Sequence, residues 1–141
     1  MNLYFLIFMG CWLFICSVQD IKRKEVHITL LLIGIVTGMF GTMFWIDISL
    51  GNRLLGAALG GVLLVLNLIT KGQVGIADGI IVCTIGFTFG FYISSGMLIL
   101  SLFLSAIISL FLIVLRKVKR RTTIPFIPFL FAGFVGVLAF T

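Results

Sequence analysis

Long apolar runs alternate with short polar clusters along this chain. The first run, residues 3–18, stops at Gln19-Asp20-Ile21-Lys22-Arg23-Lys24-Glu25. A second run covers residues 26–45, a short turn occupies residues 47–53, and a third run covers residues 54–69. The polar stretch Thr70-Lys71-Gly72-Gln73-Val74-Gly75 then leads into Asp78. Crossing the hydrocarbon of a bilayer takes roughly 20 helical residues, so each run predicts one span. Residues 80–115 carry no charge. As a single helix they would reach about 54 Å, against roughly 30 Å of hydrocarbon, which predicts two spans there. Ser94-Ser95-Gly96 beside Tyr92 is the best turn signal, giving span four over residues 74–92 and span five over residues 97–115. Arg116-Lys117-Val118-Lys119-Arg120-Arg121 closes span five, and Pro125 suits the first turn of span six, which ends near Phe140. The expected fold is all-α: a polytopic membrane protein of about six transmembrane helices, forming one domain over residues 1–141.

Composition agrees with a lipid solvent. The chain of 141 residues is 62% hydrophobic and only 10% charged, with a mean hydropathy of +1.35, whereas a soluble domain is about half apolar and a quarter charged. Too few polar side chains remain to cover a core in water. The apolar N-terminal stretch has no basic residue before it and no small-residue cleavage site after it, so it reads as a first span rather than a removed signal. The cysteines, Cys11, Cys16 and Cys83, fall in apolar stretches without the spacing of a zinc knuckle or a redox motif, and are expected to pack.

The net charge of +6 does not point to nucleic acid, because the basic residues lie between apolar runs and lack an interleaved aromatic platform. Their distribution fits retention on the cytoplasmic side. Six spans place Lys22, Arg23, Lys24, Lys71, Arg116, Lys117, Lys119, Arg120 and Arg121 on one side and Arg53 alone on the other. The first, third and fifth loops are therefore expected to be cytoplasmic, with both termini outside.

A carboxylate at or inside a span is costly, and the chain has only four acids. Asp47 in the outer turn and Glu25 in the basic cluster are explained by solvation and pairing. Asp20 and Asp78 remain, both on the expected cytoplasmic side. Taken singly, Asp20 reads as a boundary residue pairing with Lys22 or Lys24, and Asp78 as a helix cap after Gly75. His27 reads as an interfacial side chain. Gly34 with Gly38, and Gly56 with Gly60, have the spacing that lets helices approach closely. Trp45 and Tyr92 fall near the outer interface.

The segments around the two aspartates resemble the type IV prepilin peptidases and the related archaeal preflagellin peptidases. One resemblance is an aspartate after a span with a short basic stretch behind it, Asp20-Ile21-Lys22-Arg23-Lys24-Glu25-Val26. A second is a Gly-x-Gly-Asp-like motif opening a later span, Gly75-Ile76-Ala77-Asp78. A third is the pattern Pro125-Phe126-Ile127-Pro128-Phe129-Leu130 after a basic loop. The likeness covers nearly the whole chain and fits the small members without an N-terminal methyltransferase extension. Two positions depart from the pattern: Ala77 replaces the second glycine, and Ile80 stands where many members carry a lysine.

The resemblance implies an aspartic endopeptidase that needs no cofactor or metal. Asp20 and Asp78 would be catalytic, with Gly75 and Ala77 supporting the motif. Its implied partners are the lipid bilayer and pilin-like precursors, whose short basic leaders it would remove at the cytoplasmic face of a prokaryotic plasma membrane. Amide hydrolysis needs one group to activate water and another to protonate the leaving nitrogen, and two close carboxylates sharing a proton can do both. The alternative reading is a non-catalytic membrane protein, either a degenerate relative or an assembly partner of a pilus or secretion system. A third is a small transporter using an acid as a proton relay.

Overall fold

The computed structural model describes residues 2–44, 47–117 and 124–141. These contain five helices and no strand: α1 (Leu3–Arg23), α2 (Ile28–Phe44), α3 (Leu50–Ile69), α4 (Ile76–Val114) and α5 (Ile127–Phe140). By length and composition, α1, α3 and α4 are long and apolar enough to cross a membrane, while α2 and α5 are shorter apolar helices.

Helix α1 buries Phe5, Met9, Trp12, Leu13, Cys16 and Ser17, the three-and-four spacing of one helical face. Asp20 is the next residue on that face and is likewise buried. The helix runs on to Arg23, beyond the end of the apolar run, so Asp20 lies inside α1 rather than after it. Lys24 closes it in a left-handed conformation, its N–H donating to the Asp20 carbonyl at 2.8 Å.

Helix α2 meets its neighbours through glycines. The Trp12 indole fills the notch at Gly34 and donates to the Leu30 carbonyl at 2.8 Å, while Phe5 lies over Gly41. On α4, Thr84 and Thr88 approach Gly38. The Gly34/Gly38 and Gly56/Gly60 spacings thus mark real close approaches. On α3, Gly56 faces Gly86, Gly60 faces Cys83 and Leu64 faces Gly79, so α3 runs antiparallel to the first part of α4.

Helix α4 is assigned as 39 residues but is broken at Gly90, whose φ of 85° and ψ of −178° are not helical. Contacts on either side give the direction of each arm. Asp20 meets Ile127 and Phe14 meets Phe131, so α5 opposes α1. Phe89 packs tilted against both Phe5 and Phe134, with ring centroids 5.8 and 5.6 Å apart. With Asp78, near the start of that arm, placed by Asp20 at the end of α1, the arm before Gly90 opposes α1 and runs with α5. Beyond the break, Gly96 faces Val137 and Ser101 faces Gly133, the reverse sense. The chain turns back at Gly90.

This corrects the turn expected at Ser94-Ser95-Gly96, which is helical. Gly90 can take a φ that an L side chain avoids, and Asn52 on α3 accepts the Phe91 N–H at 2.9 Å, supplying a partner that the break removed. Gly96 is small because Val137 packs against it. The expected start of the last helix also shifts. Phe126 is the N-cap and Pro128, not Pro125, lies in the first turn of α5. Trp45 and residues 118–123 lie outside the described residues, so the expectations placed on Trp45, Lys119, Arg120 and Arg121 are not addressed by the fold. Cys11, Cys16 and Cys83 are free thiols.

Candidate active site

Two acids separated along the chain by α2 and α3 lie toward one end of the bundle. Asp20, on the inward face of the last turn of α1, is 8% exposed. Its Oδ2 accepts the N–H of Ile127, the first residue of α5, at 3.3 Å. Around it, the Phe129 and Leu130 N–H groups bond back to the Phe126 carbonyl at 2.9 and 3.2 Å. Pro128 has no N–H, so the Ile127 amide is the first-turn donor directed at Asp20. A carboxylate at a helix N-terminus also lies in the favourable field of the helix dipole.

Asp78 occupies the third position of α4, whose N-cap is Gly75. Its half-buried carboxylate lies against Gly75 at the head of the helix. A Cβ on Gly75 would stand 2.7 Å from Asp78 Oδ2, so glycine here leaves the carboxylate its place. Asp78 thus lies in the first turn of α4, beside its N-cap residue. Asp20 lies near enough to Asp78 to act on it electrostatically.

Ala77 and Ile80, the two departures from the motif, pack against the core cluster. The Ile80 carbonyl also accepts the Thr84 hydroxyl at 2.8 Å. An apolar side chain at residue 80 therefore extends the core toward the acids instead of adding a charge.

The loop that carries the motif is held from α3. Asn67, buried in the last turn, donates its side-chain amide to the Val74 carbonyl, and its backbone carbonyl accepts the Gly72 N–H at 2.9 Å. Lys71 and Gly72 have φ of 53° and 88°, the left-handed geometry of a helix-closing motif. Asn67 was not picked out from the sequence. The available signal was that it is the one polar side chain in the run 54–69. The backbone donor at Ile127 carried no sequence signal of its own.

His27 is exposed. It lies 3.1 Å from Arg23 Nη1 through its Nε2, and its backbone N–H donates to Gln19 Oε1 at 3.0 Å, so these residues close the α1–α2 turn. Among the described residues, no group of three or more His, Cys, Asp or Glu side chains could hold a metal ion.

A bundle of apolar helices, three of them long and apolar enough to cross a membrane, fits a membrane protein. The model of the type IV leader peptidase family matches residues 7–114, and the chain belongs to that family. The match contains both aspartates and ends before the Pro125 segment. Comparison with curated proteins and with solved structures gave no match.

Proposed function

We propose that the protein is an aspartic endopeptidase of the prepilin type, with Asp20 and Asp78 as its catalytic pair. Its substrates would be pilin-like precursors, cut behind their short basic leaders at the cytoplasmic face of a prokaryotic plasma membrane. The observation that supports this most is the convergence of two costly acids, drawn from α1 and α4, beside the N-terminus of α5.

In this reading a water lies between the two carboxyl groups. One carboxylate takes a proton from the water as its oxygen attacks the scissile carbonyl carbon. The other carboxyl group delivers its proton to the nitrogen as the C–N bond breaks, leaving a carboxylic acid and an amine. The pair titrates as a unit, so the roles belong to the pair and not to a named member. Apolar walls on one side strengthen the electrostatics, while the polar loops admit water.

The return of the chain at Gly90 supports counting the arms of α4 as two passages, giving six in all with both termini outside. The motif loop at residues 70–75 and the end of α1 then share the face that carries most of the basic residues.

Co-expression with a precursor bearing a basic leader ahead of an apolar helix tests the proposal. Leader removal, read as a gel shift, is expected with the wild type and with Asp47→Asn, and is lost in Asp20→Asn and in Asp78→Asn. Persistent cleavage in both of the last two variants would remove the pair from the mechanism.

A further inference from the structure

We propose that Asn67 is a positioning residue for Asp78, acting through the single peptide plane that joins Val74 to Gly75. This rests on the reading of Asp20 and Asp78 as the catalytic pair.

The two ends of that plane have different partners. Its carbonyl oxygen, on Val74, accepts the Asn67 side-chain amide. Its other end, Gly75, lies against the Asp78 carboxylate, where a Cβ would stand 2.7 Å from Oδ2. A trans peptide is flat and rigid, so a donor that fixes its oxygen also fixes the Gly75 backbone against which the carboxylate lies.

The rest of the loop is built to the same end. The Asn67 backbone carbonyl holds Gly72 at 2.9 Å, so one residue pins the loop on both sides of Gln73. At Gly75, the missing Cβ lets the Asp78 oxygen approach the plane. Asn67 is 8% exposed in an otherwise apolar stretch, where an amide without a partner is costly. Closing a helix end alone does not require a side-chain amide, because the backbone bond from Gly72 already does so.

The test uses the purified full chain in lipid nanodiscs, labelled with carboxyl-13C aspartate. The chain has three aspartates, Asp20, Asp47 and Asp78, and their signals are assigned with single Asp→Asn variants. Asn67→Leu keeps the shape and removes the amide. It is expected to move the Asp78 signal and its titration midpoint while the Asp47 signal stays in place. In the wild type, the Asn67 side-chain amide signal is expected to follow the titration of Asp78 and to lose that response in Asp78→Asn. An Asp78 signal unchanged by Asn67→Leu, or an Asn67 amide indifferent to the charge on Asp78, overturns the proposal. The wild-type measurement decides alone if Asn67→Leu does not fold.

With the basic-leader precursor as probe, Asn67→Leu lowers kcat by about tenfold or more and leaves KM near its wild-type value. The two readings fail separately. Cleavage that survives Asp78→Asn removes the catalytic pair and leaves the coupling intact, whereas absent coupling with cleavage lost in Asp78→Asn removes only the role of Asn67.

Discussion

Adding one methyl group to α3 should have opposite effects at two adjacent residues. At Gly60 a Cβ would overlap the Cys83 backbone and stand 2.5 Å from Cys83 Cβ, where ordinary contact begins at 3.4 Å. Close-packed interiors have little slack, so Gly60→Ala pushes α3 and α4 apart by about 1 Å. Overpacking costs about 1–3 kcal/mol, and the upper end applies because backbone on both sides must move. Alanine's helix preference offsets only about 0.5–1 kcal/mol of this. At Gly61 a Cβ meets nothing within 4 Å, so Gly61→Ala keeps the preference and is stabilising by about 0.5–1 kcal/mol. Helices in lipid are held largely by such packing, so the contrast between the variants should reach about 3 kcal/mol. Unfolding in mixed micelles at rising SDS, followed by circular dichroism, reads it directly. The same displacement moves the helix that carries Asp78, and a 1 Å misplacement can lower catalysis by about 100-fold. Coincident unfolding curves for the two variants would refute the α3–α4 packing described here.

Gly75→Ala is expected to keep the unfolding midpoint near wild type and to lower leader cleavage by at least about tenfold, since the added Cβ displaces the Asp78 carboxylate. Gly90→Ala forces an L side chain to φ 85° and ψ −178°, costing about 1–3 kcal/mol in the same unfolding assay. Asn52→Ala leaves the Phe91 N–H without its partner and costs about 1–3 kcal/mol. Trp12→Phe removes the donor to the Leu30 carbonyl and is expected to lower stability by about 1 kcal/mol, with cleavage retained.

The candidate site was legible in the sequence because acids are scarce in an apolar chain and each one demands a reason. Asp20 and Asp78 stand out on that ground alone. Helix ends were less legible, since hydropathy marks where lipid stops and not where hydrogen bonding stops. Helix α1 therefore continues through Asp20 to Arg23 although its apolar run ends earlier. The turn was misplaced for a different reason. Gly86, Gly90 and Gly96 all lie in the charge-free stretch, and only the tertiary partner Asn52 distinguishes the one at which the helix breaks. Pro125 and Pro128 fit the start of a helix equally well by local rules. The choice between them depends on where Asp20 lies, which is a long-range fact. Asn67 went unnoticed because a lone amide near a span end has many bland explanations, and its two loop contacts form only once α3 and α4 are paired.

The central claim is that Asp20 and Asp78 form one site, and cysteine cross-linking tests it most directly. In the full chain with Cys11, Cys16 and Cys83 replaced by serine or alanine, Asp20→Cys and Asp78→Cys are introduced together and treated in membranes with a short bifunctional maleimide. The account predicts an intramolecular cross-link in high yield, seen as a mobility change and confirmed by mass spectrometry of the joined peptides. It predicts none when Asp47→Cys replaces either member of the pair. A failure of residues 20 and 78 to cross-link while each is modified singly, or equal linking of either one to residue 47, would contradict it.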